Sequence, residues 1–100
     1  MAEITITTEN FQREVLESKE PVLVDFWASW CGPCKSMLPV VAAIADTGVR
    51  VGKINVDEEP ELARRFRVMS IPTFKVFRDG REVKSAVGAT TQAALEDMLK

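Results

Sequence analysis

The apolar run Val22-Leu23-Val24-Asp25-Phe26-Trp27 leads almost directly into Trp30-Cys31-Gly32-Pro33-Cys34-Lys35, and this junction constrains the chain more than any other feature. A continuous apolar run of that length reads as a buried strand, so two thiols stand at one end of it. Cysteines two residues apart close a small ring within one turn, or stay open as a dithiol, with little rearrangement around them. A structural crosslink gains most by closing a long loop of the unfolded chain, and this ring is very short. A zinc site is the other alternative, since Cys-x-x-Cys is half of many ligand sets. The sequence holds no histidine and only two cysteines, so the set cannot be completed in the usual way. A disulfide that opens and closes by exchange suits the pair best.

The residues that follow supply the chemistry. Met37, Leu38, Val40, Val41, Ile44 and Ala45 recur at helical spacing, which predicts a helix to about Asp46 with Cys31 at its N-terminus. Pro33 suits the first turn, where a missing N–H costs nothing. At that position unpaired backbone N–H groups and the positive end of the helix dipole favour thiolate over thiol. Cys31 is therefore the expected nucleophile, with a surface-accessible sulfur. Cys34, one turn further in and less exposed, is the expected resolving thiol. Pro39 should bend the helix at its middle, because its ring displaces the carbonyl of Lys35.

Along the chain, Ile4-Thr5-Ile6 reads as a short strand, and Thr7 or Thr8 caps a helix burying Phe11, Val15 and Leu16. Pro21 opens the apolar strand to Trp27. The cysteine helix ends at Gly48, Val49 to Val56 forms a second buried strand, and Asp57 and Pro60 start a helix presenting Leu62, Ala63 and Phe66. Thr73 to Phe77 and Glu82 to Val87 flank Arg78-Asp79-Gly80-Arg81, where Asp-Gly signals a hairpin. A final helix from about Thr91 carries Ala94, Leu95, Met98 and Leu99 on one face. Parallel units followed by an antiparallel hairpin imply a mixed sheet with helices on both faces. Alternation in the first apolar strand places Asp25 on a face with Leu23 and Trp27, so its carboxyl is expected to be buried with a raised pKa.

The 100 residues, 46% hydrophobic and 28% charged, suffice for one core and predict a single domain over residues 1–100. A net charge of −2 without a basic block gives no reason to expect nucleic acid. Met1-Ala2-Glu3-Ile4 lacks the basic start of a secretory leader, and no apolar run is long enough to cross a bilayer. A cytoplasmic, reducing compartment is the expectation, although a secreted protein with its leader removed would read the same way.

Val24-Asp25-Phe26-Trp27-Ala28, Trp30-Cys31-Gly32-Pro33-Cys34-Lys35, Ser70-Ile71-Pro72-Thr73-Phe74 and Val87-Gly88-Ala89 stand in the order of the thioredoxin family, which the chain resembles over nearly its whole length. The resemblance implies a thioredoxin fold in the α/β class, a five-stranded mixed β-sheet flanked by four α-helices in three layers. It assigns Asp25 as the buried proton acceptor that helps Cys34 ionise, with Lys53 approaching and tuning it; a Lys53 that merely snorkels to the surface is the plainer alternative. It implies a cis Ile71-Pro72 bond facing the cysteines, and a shallow apolar groove of Trp30, Gly32, Pro33, Ile71, Gly88 and Ala89. Trp27 is read as core. Relatives that act as oxidants usually carry a histidine between the cysteines, and Gly32-Pro33 lacks one. The resemblance thus implies a protein disulfide reductase whose Cys31–Cys34 disulfide is recharged by a flavin-dependent thioredoxin reductase using NADPH. It implies a monomer that binds no cofactor or metal and acts on disulfide-containing proteins. A redox-controlled binding subunit and an oxidase or isomerase are the alternatives. Met69 and Ser70, before the Ile-Pro pair, depart from common family choices and bear on partner preference.

Overall fold

Residues 3–100 are described in a computed structural model; Met1 and Ala2, part of the stretch read for a leader, lie outside them. The strands are β1 (Glu3–Thr5), β2 (Val22–Trp27), β3 (Arg50–Asn55), β4 (Thr73–Arg78) and β5 (Arg81–Val87), and the α-helices are α1 (Gly32–Ser36), α2 (Leu38–Asp46), α3 (Pro60–Arg65) and α4 (Gln92–Met98). A π-helical turn, Gln12–Leu16, lies between β1 and β2. The sheet order is β1-β3-β2-β4-β5. β3 runs parallel to β1 and β2, while β4 is antiparallel to β2 and β5. The mixed sheet and four α-helices agree with the expected fold.

β2 pairs on both edges and is covered on both faces, which is why its sequence is apolar without alternation. Val22, Val24 and Phe26 pack with Phe11, Val15, Ile54, Leu62 and Phe77 beneath the π-turn and α3. Leu23 packs on the opposite face with Val41, Ile44, Phe74 and Leu95 beneath α2 and α4. Phe66 joins the first core as its aromatic hub, with ring centroids 5.3 Å from Phe11 and 5.3 Å from Phe77.

Four expectations change in detail. The first helix is one π-turn: Thr7 and Asn10 cap each other, backbone N–H to side-chain oxygen in both directions, and Leu16 is only half-buried. The cysteine helix is two segments broken at Met37, whose N–H donates to the Cys34 carbonyl at 3.2 Å. Pro39 offers Lys35 no N–H, so the ladder fails two residues before the proline. Asp57 does not begin α3; its backbone N–H donates to Asn55 Oδ1. Ala94 is exposed, while Leu95 is the buried residue of α4. The hairpin conforms: Asp79 and Gly80 have φ of 51° and 79°, the left-handed pair of a two-residue type I′ turn. Lys75, unremarked in the sequence, is buried on β4 with Nζ donating to Glu82 and Ser85.

Gly52 sits where β3 passes under Ile6, and a Cβ there would lie 2.8 Å from Ile6 Cγ1. That atom belongs to a buried branched side chain with little room to move. Gly52→Ala should lose about 1–3 kcal/mol, read as a lower denaturant midpoint at unchanged slope.

Candidate active site

Because β2 and β3 are parallel and β4 returns antiparallel to them, the C-terminal ends of β2, β3 and β5 and the start of β4 share one edge of the sheet. The cysteine turn leaves β2 at this edge. Cys31 donates its backbone N–H to the Ala28 carbonyl at 3.2 Å and caps α1 in an extended conformation. Its Sγ accepts the backbone N–H of Cys34 at 3.1 Å. The two cysteines form a disulfide with Cα atoms 5.2 Å apart.

Cys31 was expected at the surface, yet both cysteine residues are 4% exposed. The reason is packing of the oxidised turn: the pair nests on Ala28 with Trp27, Val56 and Ile71 against it. Cys31 Sγ also lies 3.8 Å from the Ile71 carbonyl oxygen. The asymmetry between the sulfurs is therefore one of polar contacts rather than exposure. Cys31 faces an N–H donor. Cys34 instead borders an apolar cavity of about 270 Å³ with Trp27, Ser29, Lys35 and Leu38, so Trp27, expected in the core, is a half-buried wall beside the site.

The Ile71-Pro72 peptide is cis. The Pro72 carbonyl accepts the Gly88 N–H at 2.7 Å, which ties the end of β5 to this loop, and Gly88 has φ of 96°. Trp30, Gly32, Pro33 and Ala89 are exposed, and Ile71 and Gly88 are half-buried. Two further apolar side chains lie beside the signature residues: Met69, 92% exposed, and Val87, 67% exposed. Trp30, 68% exposed, is held from outside by Asp57, whose Oδ2 accepts the indole Nε1–H at 2.8 Å. No signal in the sequence links residues so far apart.

Asp25 is 3% exposed, and its Oδ1 has no hydrogen-bond partner among the described residues. Burial raises its pKa to about 7; Lys53 opposes that rise and Glu3 adds to it. Lys53 is the register partner of Asp25 on β3, but its Nζ lies 5.0 Å over the Trp27 ring and 4.0 Å from Glu3 Oε1. It thus neither pairs directly with Asp25 nor simply snorkels outward. Among the described residues, no group of three or more His, Cys, Asp or Glu could hold a metal ion.

The thioredoxin family model matches residues 2–100. The chain belongs to the thioredoxin family. It is 53% identical over 97 residues to a thioredoxin of Mycobacterium tuberculosis H37Rv, covering 94% of this chain and 84% of the relative. It is 47% identical over 92 residues to a thioredoxin of Streptomyces clavuligerus, covering 90% and 86%. The bifunctional thioredoxin reductase/thioredoxin of Mycobacterium leprae is 50% identical over 95 residues, 92% of this chain but 21% of that protein. Thioredoxins are disulfide oxidoreductases, and the cysteine pair of this member stands at disulfide distance in the position of such an active centre.

The raised Asp25 pKa carries a stability signature. The folded protein holds the Asp25 proton to about pH 7, whereas an unfolded chain releases it near 3.8. Stability contributed by that proton is present below the lower value and lost as pH rises toward the upper one. The gap between 3.8 and about 7 corresponds to about 4 kcal/mol. Asp25→Asn removes the titration, so its stability relative to wild type should rise by up to about 4 kcal/mol between about pH 4 and about pH 8. Denaturant unfolding of the oxidised proteins at both pH values checks this.

Proposed function

We propose that the chain is a monomeric protein disulfide reductase, acting in the cytoplasm as one domain over residues 1–100. The observation that carries the assignment of the nucleophile is the Cys34 N–H directed at Cys31 Sγ, 3.1 Å away. An N–H donor stabilises a thiolate at Cys31, whereas Cys34 borders an apolar cavity.

In the reduced protein the Cys31 thiolate attacks one sulfur of a substrate disulfide. The S–S bond breaks, a mixed disulfide forms, and the departing substrate thiolate takes a proton. Asp25, ionised at that stage, accepts the Cys34 proton; its burial makes it basic enough to do so near neutral pH. Cys34 then attacks Cys31 Sγ, the second substrate thiolate leaves, and two electrons have passed to the substrate. Lys53 tunes Asp25. Pro72 shapes the loop beside Cys31, leaving the Ile71 backbone to pair with an extended substrate segment. Trp30, Gly32, Pro33, Ile71, Gly88 and Ala89 form the apolar floor and walls, with Asp57 bracing the indole of Trp30.

The chain carries no cofactor of its own in this scheme. A flavin-dependent thioredoxin reductase returns two electrons from NADPH to the Cys31–Cys34 disulfide, and the fused reductase and thioredoxin of the Mycobacterium leprae relative supports such a partner.

Reduced wild type should cleave insulin disulfides in a turbidity assay with dithiothreitol. Cys31→Ser should abolish the reaction, and Cys34→Ser should accumulate mixed disulfides visible on a non-reducing gel. Turnover surviving in Cys31→Ser would overturn the assignment of the nucleophile, and partner binding unaffected when both cysteines are serine would favour a scaffold role instead. A reduction potential well above that of the cytosolic glutathione pool would favour an oxidase.

A further inference from the structure

The cation opposite Asp25 is engaged elsewhere. Glu3, Lys53 and Asp25 lie on one face of three adjacent strands: Asp25 registers with Lys53, Lys53 registers with Thr5, and Glu3 stands two residues before Thr5. Asp25 Oδ1 is unpartnered among the described residues, while Lys53 Nζ is 4.0 Å from Glu3 Oε1 and 5.0 Å above the Trp27 ring. One ammonium group thus stands between two carboxyl groups, and its ion pair is with the outer one. Both members of that pair are largely covered, with side-chain exposures of 19% and 22%, so solvent screens the interaction less than at an open surface.

We propose that Glu3 is a positioning residue for proton transfer at Asp25: it holds Lys53 Nζ at the sheet edge, over Trp27, and keeps that cation from closing an ion pair with Asp25. The inference rests on the reading of Asp25 as proton acceptor for Cys34. A carboxylate paired directly with an ammonium group is a weak base, and a weak base at this position would not relieve Cys34 of its proton. The Glu3 carboxylate also acts on Asp25 through space in the same direction, by raising its affinity for a proton.

The other groups facing Asp25 do not supply this effect. This face of the sheet is covered by apolar side chains, Met37 between α1 and α2 and Val41 and Ile44 of α2. On β4 the register partner of Asp25 is Phe74. Lys35 is exposed. At the sheet edge Glu58 and Glu59 line a cavity of about 140 Å³ with Lys53 and Trp27, and Glu59 accepts hydrogen bonds from Thr8.

The test is a carboxyl-carbon NMR titration of Asp25 in oxidised wild type, Glu3→Gln, Glu3→Asp, Lys53→Met and Glu3→Gln/Lys53→Met, beside pH profiles of insulin reduction. Glu3→Gln should move the Asp25 midpoint to lower pH and carry the Asp25-dependent limb of the profile with it. Glu3→Asp keeps the charge but shortens the reach to Lys53, so it should move the midpoint the same way. With Lys53→Met in place, Glu3→Gln should have a much smaller effect. An unmoved midpoint in Glu3→Gln overturns the proposal, and so does a wild-type midpoint in Glu3→Asp, which would reduce Glu3 to a distant charge. Asp25→Asn separates the two levels: if it leaves the insulin profile unchanged, the Asp25 reading itself fails, whatever Glu3 does to the titration.

Discussion

Everything at the active edge depends on β2 being enclosed. It is hydrogen-bonded to β3 on one side and β4 on the other, and residues Val22 to Phe26 are all buried. A strand fixed on both edges and both faces has one register, because a slip of a single residue would turn every side chain to the wrong core. Such a slip would send Asp25 into the aromatic core of Phe11, Phe66 and Phe77 and bring Val24 beneath α2. The fixed register also fixes the end of the strand, and from there Ala28, itself buried, accepts the N–H that seats Cys31 at the head of α1. Ile71 and Gly88 reach the same edge because β4 starts and β5 finishes there. The site is thus assembled by strand ends, whose positions the sheet sets more firmly than a loop could.

The same enclosure underlies the electrostatic inequality between the two sulfurs on which the proposed exchange depends. Around the disulfide the polar contacts among the described residues are few: the Cys34 N–H aimed at Cys31 Sγ, and the Ile71 carbonyl 3.8 Å from the same sulfur. In a poorly polarisable interior each counts for more than it would in water. The N–H singles out Cys31 as the sulfur that carries negative charge. Asp25, made basic by desolvation first and moderated by Lys53 second, receives the proton of Cys34 in the proposed scheme. In the proposed scheme nucleophile and resolver differ by these placements, since both cysteine residues are 4% exposed.

Strand and hairpin positions were largely legible because their signals are local. The unbroken apolar run gave β2, Asp79-Gly80 fixed the turn between β4 and β5, and Thr91 capped α4, with its side chain accepting the Ala94 N–H. Where tertiary contacts decide, the sequence was less informative. The π-turn at Gln12–Leu16 was not legible, because Phe11 and Val15 stand four residues apart, the spacing of a regular helix. The break at Met37 depends on where a lost hydrogen bond is absorbed, not only on where Pro39 stands. The candidate site was legible as a set of residues, since Cys31, Cys34, Asp25, Ile71 and Pro72 lie in compact motifs. Its lateral supports were not: Asp57 under Trp30, and Glu3 beside Lys53, are joined only by folding. Burial of Cys31 was also hidden, because it arises from Ile71, far along the chain, closing over the oxidised turn.

Placing a carboxyl group in the best-packed strand has a thermodynamic consequence that the rest of the fold must absorb. Domains of this size are stable by only about 5–15 kcal/mol, and ionised Asp25 removes about 4 kcal/mol of that at pH values above its pKa. The position is tolerated because the neighbours are over-determined: Leu23, Val24, Phe26 and Phe74 around it are fully buried, and β2 keeps its ladder on both sides whatever the charge of residue 25. The core therefore holds the carboxyl where packing alone would not choose it. If Asp25 takes the Cys34 proton as proposed, its orphaned oxygen serves that transfer, since a hydrogen-bond donor placed on it would stabilise the fold and weaken the base.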